Sequence, residues 1–381
     1  MELYSLGLVV GSGAGACADA TLSRKHHRGL LPMRALTVAP GVANSAKVED
    51  VSEPPQSDGA VLVRTLALGV CGTDREIVSG AYGWAPPGQK RLVIGHESLG
   101  KVQEAPAGSG FKTGDLVVGI VRRPDPVPCP YCAVGEWDMC QNGRYTERGI
   151  KERNGYGSDL FRIEPEFLIK LDPSLGMNGV LVEPTSVVAK AWDQTERIGA
   201  RSRGFAPKRL LVTGAGPIGL LAAMIGAQRG LDVHVLDHND RGRKRELVRE
   251  LGGTFHLGSL ADLDALEPDI LMECTGATSV VGEAFGRTAA CGIVCLLGVS
   301  APGHEVKLDI GEINRTMVLD NDTLFGSVNA NRKHYQDAVD VLQRADKHWL
   351  AKLITRRVPV EEWTQALQHQ SGDIKVVVDF S

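Results

Sequence analysis

The chain has 381 residues, and its 46 acidic residues slightly outnumber its 42 basic ones. An ordinary hydrophobic share of 43% excludes a wholly disordered chain, and the lack of a basic excess argues against a nucleic-acid partner. No uninterrupted apolar run reaches the roughly 18 residues that a membrane span needs. The sequence therefore predicts a globular protein of two or three domains that is not embedded in a membrane.

The first 32 residues are set apart from the rest of the chain. Residues 6–20 are small and apolar, but the basic cluster at 24–28 follows this run, whereas a secretory signal carries its basic residues in front. We therefore expect residues 1–32 to be a poorly ordered extension and the protein to be cytoplasmic. Met33 opens what reads as the first strand.

The next part of the chain is β-rich. Short apolar runs such as 61–63 and 116–118 are separated by glycine, proline and aspartate, as is typical of strands joined by turns. Residues 122–158 form a long, irregular segment that is rich in proline and glycine. A segment of this length is usually functional or is held by something other than a hydrophobic core.

The pattern changes near residue 185, where strands begin to alternate with helices. This alternation predicts a doubly wound parallel sheet. The predicted elements are a helix at 187–198, strands at 209–213, 232–236, 269–274 and 292–297, and helices at 219–229 and 243–251. A helix at 332–342 and a strand at 375–380 should rejoin the first domain. The predicted fold class is thus α/β, with one domain at 33–185 and 326–381 and a second at 186–325.

A glycine-rich turn marks a dinucleotide site. Gly214, Gly216 and Gly219 form G-x-G-x-x-G between a predicted strand and a predicted helix, which is the context that the motif requires. Asp237 ends the next strand, near the position of the carboxylate that binds the adenosine ribose. Such a carboxylate repels a 2′-phosphate and favours NAD, although the basic residues at 241–244 could bind NADP instead.

Two groups of residues have the chemistry of metal ligands. Cys71, His96 and Glu97 offer a thiolate, an imidazole and a carboxylate, which together suit zinc. Three further cysteines stand close in sequence at Cys129, Cys132 and Cys140. Each residue taken alone is more often a buried structural residue than a ligand.

The motifs occur together in a fixed order. They are C-G-T-D at 71–74, G-H-E-x-x-G at 95–100, F-K-x-G-D-x-V at 111–117 and the glycine-rich turn at 214–219. In this combination the chain resembles the zinc-dependent medium-chain dehydrogenase/reductase family over nearly all of residues 33–381. The resemblance implies a GroES-like, β-rich catalytic domain followed by a Rossmann dinucleotide-binding domain.

The resemblance also implies roles for the first two motifs. Cys71 and His96 correspond to ligands of the catalytic zinc, and the third ligand is either Glu97 or Glu183. Asp74 corresponds to the carboxylate that orients the zinc-binding histidine. Thr73 corresponds to the hydroxyl that passes on the substrate proton.

The three clustered cysteines match three of the four ligands in the structural-zinc lobe of that family. The first of the four positions falls on Pro126, which cannot bind a metal. A structural zinc needs four ligands, so either Asp125 or another nearby carboxylate completes the site, or the lobe holds no metal.

Several segments resemble the glucose 1-dehydrogenase branch of the family. They are Arg122-Arg123, the run YTERGI at 145–150, Glu183-Pro184 with the helix that follows it to Lys190, and GSVN at 326–329. In that branch the residues matching Glu147, Glu183 and Asn329 meet the sugar or the nicotinamide. The implied cofactor-binding set is Gly214, Gly216, Pro217, Ile218, Gly219, Asp237, His238, Arg241, Leu297, Val299 and Asn329, and the implied substrate-binding set is Thr73, Glu147, Glu183 and Asn329.

The function that follows is oxidation of an aldose, D-glucose foremost, at C1, with hydride transfer to NAD or NADP and with zinc as cofactor. One alternative is a zinc-dependent alcohol, polyol or threonine dehydrogenase of the same family. A second is a non-catalytic binding protein that keeps the fold. The family also leads us to expect a homodimer or homotetramer.

Overall fold

A computed structural model describes residues 32–381 of the chain, so the predicted extension lies outside the described residues except for Pro32. The strands follow from stretches of alternating or continuous apolar residues bounded by turns. In chain order they are β1 (Met33–Val38), β2 (Lys47–Val51), β3 (Val61–Val70), β4 (Leu92–Val93), β5 (Glu97–Glu104), β6 (Leu116–Gly119), β7 (Arg122–Arg123), β8 (Thr146–Arg148), β9 (Glu152–Arg153), β10 (Leu160–Ile163), β11 (Leu168–Lys170), β12 (Arg209–Thr213), β13 (Asp232–Asp237), β14 (Thr254–Leu257), β15 (Ile270–Glu273), β16 (Ile293–Leu296), β17 (Thr323–Gly326), β18 (Ile354–Pro359) and β19 (Lys375–Asp379).

The helices concentrate in the second half of the chain. They are α1 (Gly72–Val78), α2 (Pro130–Ala133), α3 (Val182–Gly199), α4 (Pro217–Gln228), α5 (Lys244–Glu250), α6 (Thr278–Ala284), α7 (Ile310–Asp320), α8 (Arg332–Arg344), α9 (Lys347–Leu353) and α10 (Trp363–Leu367). No helix among residues 32–381 combines the length and the apolar character needed to cross a membrane.

The first part of the chain builds a mainly antiparallel sheet. Its strand order is β11-β6-β5-β3-β19-β18, with β10 also paired to β3. The C-terminal strand β19 pairs antiparallel with β3, Val377 lying opposite Gly69. The end of the chain therefore returns to the β-rich part, and it brings Lys375 beside the end of β3.

The second part is a six-stranded sheet with the order β14-β13-β12-β15-β16-β17, and all of its pairings are parallel. The order reverses beside β12, which is where a doubly wound sheet binds its ligand. The predicted fold class, a GroES-like β-rich domain with a Rossmann-type domain, is confirmed by this architecture.

Helix α3 connects the two parts. Its buried residues Val188 and Trp192 belong to one hydrophobic core that includes Leu99 of β5 as well as Leu220 of α4. Because this helix packs against both parts, it holds residues near its start in a fixed place between them. Glu183 lies in its first turn and Lys190 lies farther along the same helix.

Candidate active site

The turn between β3 and α1 positions the first motif. Cys71 precedes the helix as its N-cap, and its backbone N–H donates to Asp74 Oδ2 at 3.0 Å. This bond fixes the Asp74 carboxylate in the first turn of the helix, where the free backbone N–H groups favour negative charge. Thr73 lies between these two residues and is half-buried.

His96 lies opposite this turn. Its Nε2 is 3.0 Å from Cys71 Sγ, and its Nδ1 faces Asp74 Oδ1 at 3.4 Å. Burial alone would lower the pKa of His96, but the negative charges of Cys71 and Asp74 outweigh it and raise that pKa well above the usual value. The two ring nitrogens thus have separate partners: Nε2 is directed at the thiol, and Nδ1 is directed at the orienting carboxylate.

Glu97 follows His96 at the start of β5 and is fully buried. Its Oε1 accepts a hydrogen bond from Lys375 Nζ at 2.6 Å, and its Oε2 pairs with the same ammonium group. Lys375 also donates to the carbonyl of Val70. The buried negative charge of Glu97 is therefore balanced by a buried positive charge from the last strand.

Cys71, His96 and Glu97 form one group whose ligand atoms all lie within 4.8 Å of one another. A thiolate, an imidazole and a carboxylate at this spacing fit a zinc ion, with Asp74 supporting the histidine. Glu183 is not part of this group of three. The structure thus brings Glu97 to the ligand cluster more closely than Glu183.

Glu183 nevertheless belongs to the same environment. Burial raises the pKa of its carboxyl group to about 7, and the negative charge of Glu97 adds to this, whereas His96 and Lys375 act in the opposite direction. A carboxyl group that titrates near neutrality can hold or release a proton at the operating pH. This is the property expected of a proton-handling group at the edge of a metal site.

Glu147 lies in β8 and is almost fully buried. Its Oε1 accepts hydrogen bonds from Arg122 Nε at 3.1 Å and from Asn329 Nδ2 at 2.7 Å. The sequence-predicted pair Glu147 and Asn329, 182 residues apart in the chain, is therefore in direct contact. Asn329 has a left-handed backbone (φ 62°), a strained conformation that recurs at functional sites.

The chain that carries Glu147 runs close to the loop that carries His96, one member of the zinc-type cluster formed by Cys71, His96 and Glu97. A Cβ atom on Gly149, two residues after Glu147, would lie 2.5 Å from the carbonyl oxygen of Gly95, next to His96. Only glycine permits such a close approach, and Gly149 also has a positive φ of 73°. The loop that carries Glu147 is thus pressed against the loop that carries His96.

The glycine-rich turn has the three properties that a pyrophosphate site requires. Gly214 has a φ of 89°, Gly216 has open space where a side chain would stand, and a Cβ on Gly219 would meet the Gly214 carbonyl oxygen at 1.8 Å. The turn leads directly into α4, whose first residue is Pro217 and whose second is Ile218. The free N–H groups at this helix start suit a phosphate.

Asp237 ends β13 beside this turn. Its Oδ2 accepts from the Ala215 N–H at 2.8 Å and from Lys244 Nζ at 2.9 Å, and its Oδ1 accepts from the Asn239 N–H at 3.0 Å. Burial raises the pKa of Asp237, but these donors, Lys244 first, hold it below its usual value. The carboxylate is therefore ionised and fixed.

The other predicted cofactor residues surround the same end of the sheet. His238 is exposed, and the exposed Arg241 donates to Ser371 Oγ at 3.2 Å. Leu297 and Val299 follow β16, and Val299 is almost fully exposed. These side chains are available to a ligand bound above the carboxyl ends of the strands.

The three clustered cysteines also meet in space. The ligand atoms of Cys129, Cys132 and Cys140 lie within 4.8 Å of one another, and we call residues 129–140 the cysteine lobe. Backbone N–H groups, first that of Cys132, lower the pKa of Cys129 to about 6. Asp125 does not join this group, because its carboxylate accepts from the Val127 N–H, Asn142 Nδ2 and Arg144 Nε.

The lobe therefore offers three ligands where a closed structural zinc needs four. The possibility that Asp125 supplies the fourth ligand does not agree with the hydrogen bonds that hold its carboxylate.

Sequence reasoning missed Lys375 and Glu273 and gave no role to Arg122, although all three are buried charged residues around the site. Lys375 neutralises Glu97, Arg122 binds Glu147, and Glu273 at the end of β15 accepts from the Thr275 and Gly276 N–H groups. Their partners, except those of Glu273, are distant in sequence. Only the pair Arg122-Arg123 was noted beforehand, and then as part of a resemblance.

Two protein-family models match this chain. The model described as alcohol dehydrogenase GroES-like domain covers residues 57–173, and the model described as glucose dehydrogenase C-terminus covers residues 176–380. Together they span the described chain apart from its first strands.

Similar proteins include the glucose 1-dehydrogenase of Methanocella arvoryzae, 38% identical over 91% of this chain and 99% of that protein. The glucose 1-dehydrogenase of Thermoproteus tenax is likewise 38% identical, with the same coverage of both chains. Among solved structures, the Haloferax mediterranei glucose dehydrogenase in complex with NADP, zinc and gluconolactone is 31% identical. It matches with a TM-score of 0.84 over 92% of this chain and 99% of that one.

Proposed function

The chain belongs to the glucose 1-dehydrogenase branch of the zinc-dependent medium-chain dehydrogenase/reductase family, and from this premise we propose that it oxidises an aldose, D-glucose foremost, at C1 to the lactone. The hydride is transferred to NAD or NADP. The observation that carries the proposal is the 2.7 Å hydrogen bond between Asn329 Nδ2 and Glu147 Oε1 beside the loop of His96. It supports the proposal because two polar side chains suited to sugar hydroxyls meet there, and Gly149, two residues after Glu147, packs against Gly95, next to His96.

Different residues of the chain have different roles in the proposed reaction. Zinc held by Cys71, His96 and a carboxylate, Glu97 or Glu183, would supply the Lewis acidity that lowers the pKa of the C1 hydroxyl. A nicotinamide cofactor, whose pyrophosphate the glycine-rich turn would hold, would supply the hydride acceptor. Thr73 passes the hydroxyl proton outward, and Asp74 keeps the His96 ring in one orientation.

Sugar recognition falls to Glu147 and Asn329. Glu147 Oε1 is occupied by Arg122 and Asn329, whereas Oε2 receives no hydrogen bond from residues 32–381 and is not sealed from solvent. A carboxylate oxygen with free lone pairs accepts hydrogen bonds from sugar hydroxyls. A substrate without those hydroxyls leaves this buried group unpaired, which is how a polar pocket rejects simple alcohols.

Steady-state turnover of glucose, galactose, xylose, sorbitol, threonine and ethanol with each nicotinamide cofactor tests the proposal. We expect an aldose to be the best substrate. A preference for ethanol, sorbitol or threonine over every aldose would instead establish the alcohol, polyol or threonine alternative. A zinc-loaded protein without turnover on any of them would favour the binding-protein alternative.

The sugar contact has its own test. Glu147→Ala should cost roughly 1–3 kcal/mol of transition-state binding for glucose, the scale of leaving sugar hydroxyls unpaired. Turnover of a small secondary alcohol, which is too short to reach Glu147, serves as the internal control. An equal loss for both substrates would mean a damaged fold and not a lost sugar contact.

Two further features support proposals on the oligomeric state and the cellular location of the protein. No residue of α7 is fully buried, and β17, which follows it in the chain, lies at one edge of the parallel sheet, so this part of the surface suits a second copy of the chain. We therefore propose a homodimer through α7 and β17, from which a tetramer would form as a pair of dimers.

The free thiols of the described cysteines support a cytoplasmic location.

A further inference from the structure

We propose that Arg122 is a positioning residue of the sugar site: it fixes the Glu147 carboxylate and ties it to the cysteine lobe through Asp138. The inference rests on the proposed function, because it assigns a role within that same site. Arg122 acts through Glu147 and has no contact with the zinc-type cluster in the described structure.

The Arg122 guanidinium group is held on all sides. Its Nε and Nη2 lie 3.1 and 3.0 Å from Glu147 Oε1, its Nη1 donates to the Asp138 carbonyl at 3.1 Å, and its plane lies 3.7 Å above the Tyr145 ring. Arg122 and Glu147 are each only 5% exposed. A planar fork fixed in this way directs two donors at one carboxylate oxygen, which an ammonium group cannot reproduce.

This geometry decides which oxygen of Glu147 is free. Arg122 and Asn329 both bind Oε1, so Oε2 is left for a ligand. Without Arg122 the carboxylate would keep only Asn329 as a partner among the described residues and would rotate about its terminal torsion, which is a soft one. The loss would fall on sugar binding, because the free oxygen would no longer have a fixed position.

The cysteine lobe takes part through Asp138. This residue lies in a short 3-10 helix, Trp137–Met139, directly before Cys140. Its carboxylate is bound by Lys190 at 2.9 Å and by Asn331 Nδ2 at 2.8 Å, while its carbonyl accepts from Arg122. Lys190 in turn donates to the carbonyl of Val328, the residue before Asn329.

These contacts form a closed ring of polar groups, in which Glu147, Arg122, Asp138 and Asn331 are buried and Asn329 is half-buried. One arm runs from Glu147 through Arg122 to Asp138, and the other runs from Asp138 through the 328–331 segment and Asn329 back to Glu147. The lobe therefore supports both predicted sugar-binding side chains. This gives the lobe a role in the site that does not depend on a bound metal.

Arg123 provides a matched control. It is 4% exposed, its Nη1 donates to the Ile120 carbonyl at 2.7 Å, its Nη2 pairs with Glu164 at 2.9 Å, and it lies 4.0 Å above the Phe167 ring. Its chemistry thus repeats that of Arg122. Because successive side chains of a strand point to opposite faces, it faces away from Glu147.

The test compares Arg122→Gln, Arg122→Lys and Arg123→Gln in the zinc-loaded, full-length enzyme. Arg122→Gln should raise the KM for glucose by about tenfold or more and lower the ratio of kcat/KM for glucose to that for a small secondary alcohol. Arg122→Lys, which keeps the charge but not the fork, should recover part of the loss. Arg123→Gln should lower the melting temperature but leave the glucose-to-alcohol ratio within about twofold.

A double-mutant cycle separates positioning from damage to the fold. If Arg122 acts through Glu147, adding Arg122→Gln to Glu147→Gln should not raise the glucose KM further. Additive effects, an unchanged KM in Arg122→Gln, or equal ratios for Arg122→Gln and Arg123→Gln would overturn the inference while wild-type glucose oxidation stood. A wild-type protein without aldose turnover would refute the proposed function itself, and the inference with it.

Discussion

The most direct prediction concerns Cys71, one of the three residues of the metal-ligand cluster. Cys71→Ser removes the thiolate that lies 3.0 Å from His96 Nε2, and a serine hydroxyl is a much poorer zinc ligand at neutral pH. We expect kcat/KM for glucose to fall by at least about 100-fold and the bound zinc to be lost, with cofactor binding retained. Steady-state kinetics, metal analysis and nucleotide titration measure the three quantities.

Cys291→Ser is the control for that experiment, because this exposed cysteine is remote in sequence from both cysteine groups and belongs to neither. Its activity and zinc content should match those of the wild type. If Cys71→Ser also keeps its zinc and its turnover, the assignment of the catalytic metal site is wrong.

We expect the choice between NAD and NADP to depend on Asp237 and its neighbour Lys244. The ionised carboxylate repels a 2′-phosphate, whereas the Lys244 ammonium group, 2.9 Å from Asp237 Oδ2, would attract one if it were released. Asp237→Ser should therefore shift the ratio of kcat/KM for NADP to that for NAD upward by roughly tenfold or more.

A second substitution, at Lys244, tests which side chain causes the shift in the NADP-to-NAD ratio of kcat/KM. Adding Lys244→Ala to Asp237→Ser should reverse most of the gain for NADP, since the released ammonium group is then absent. A shift that survives Lys244→Ala would assign the phosphate contact to Arg241 or Arg243 instead. An unchanged ratio in Asp237→Ser would mean that neither side chain sets the preference.

The motif residues could be placed from the sequence because their spacing carries the information. Cys71, Thr73 and Asp74 share one helix start, and His96 with Glu97 share one strand start. Lys375 could not be found in this way, since it reaches Glu97 from 278 positions away through the pairing of β19 with β3. A buried ion pair between distant strands leaves no local pattern in the sequence.

At the scale of single elements, the start of α8 has a pH-dependent cap. The Asn331 side chain accepts from the Lys333 and His334 N–H groups, and His334 Nδ1 accepts from the Asn331 N–H at 3.3 Å. Burial lowers the pKa of His334, although Asp138 and Asp193, which face its ring, act in the opposite direction and Lys333 acts with burial. The folded protein thus favours the neutral ring, whose Nδ1 can accept.

The lowered pKa of His334 should make the free energy of unfolding depend on pH. The unfolded histidine gains a proton near pH 6.5 and the folded one only at lower pH, so the protein loses stability as pH falls from about 6.5 toward the folded pKa. His334→Gln keeps an acceptor for the cap but does not titrate. Melting temperatures measured from pH 7.5 to 5.5 should therefore fall less in His334→Gln than in the wild type.

His348, which is exposed and lies on α9, offers the comparison for that series. The melting temperature of His348→Gln should follow the wild-type pH dependence. Parallel curves for wild type, His334→Gln and His348→Gln would show that the cap of α8 does not titrate in this range.

Elements with a strong hydrophobic pattern were predicted within a few residues. The strand at 209–213 matches β12, and the helix predicted at 219–229 is α4 at Pro217–Gln228. Helix α7 was not predicted, and none of its residues is fully buried in the structure. The predicted helix at 187–198 begins earlier, at Val182, since Pro184 is tolerated in a first turn.

At the scale of the whole molecule, the alternation of strands and helices after residue 185 was enough to predict the parallel sheet. The contacts that complete the site were not predictable, because they come from the segment that leaves this sheet and rejoins the first part. Asn329 reaches Glu147, Lys190 holds the Val328 carbonyl, and Lys375 reaches Glu97. The site is therefore assembled by chain topology and not by any one motif.

The last prediction concerns the exposed surface formed by α7 and β17. Within residues 32–381, β17 has a strand neighbour on one side alone, and α7, which precedes it in the chain, exposes Ile310, Val318 and Leu319, each more than 60% accessible. An open strand edge beside exposed aliphatic side chains is costly in water and is usually covered by another chain. A twofold axis at this edge would let the same surface of each copy cover the other.

Replacing Val318 and Leu319 together with glutamate should therefore split the assembly. We expect the wild type to sediment at no less than twice the 40.8 kDa of one chain, and the double variant to sediment as a monomer at micromolar concentration. Val42→Glu, at another exposed valine far from α7 in the sequence, should leave the mass unchanged. A wild-type monomer, or a double variant with the wild-type mass, would contradict the proposed interface.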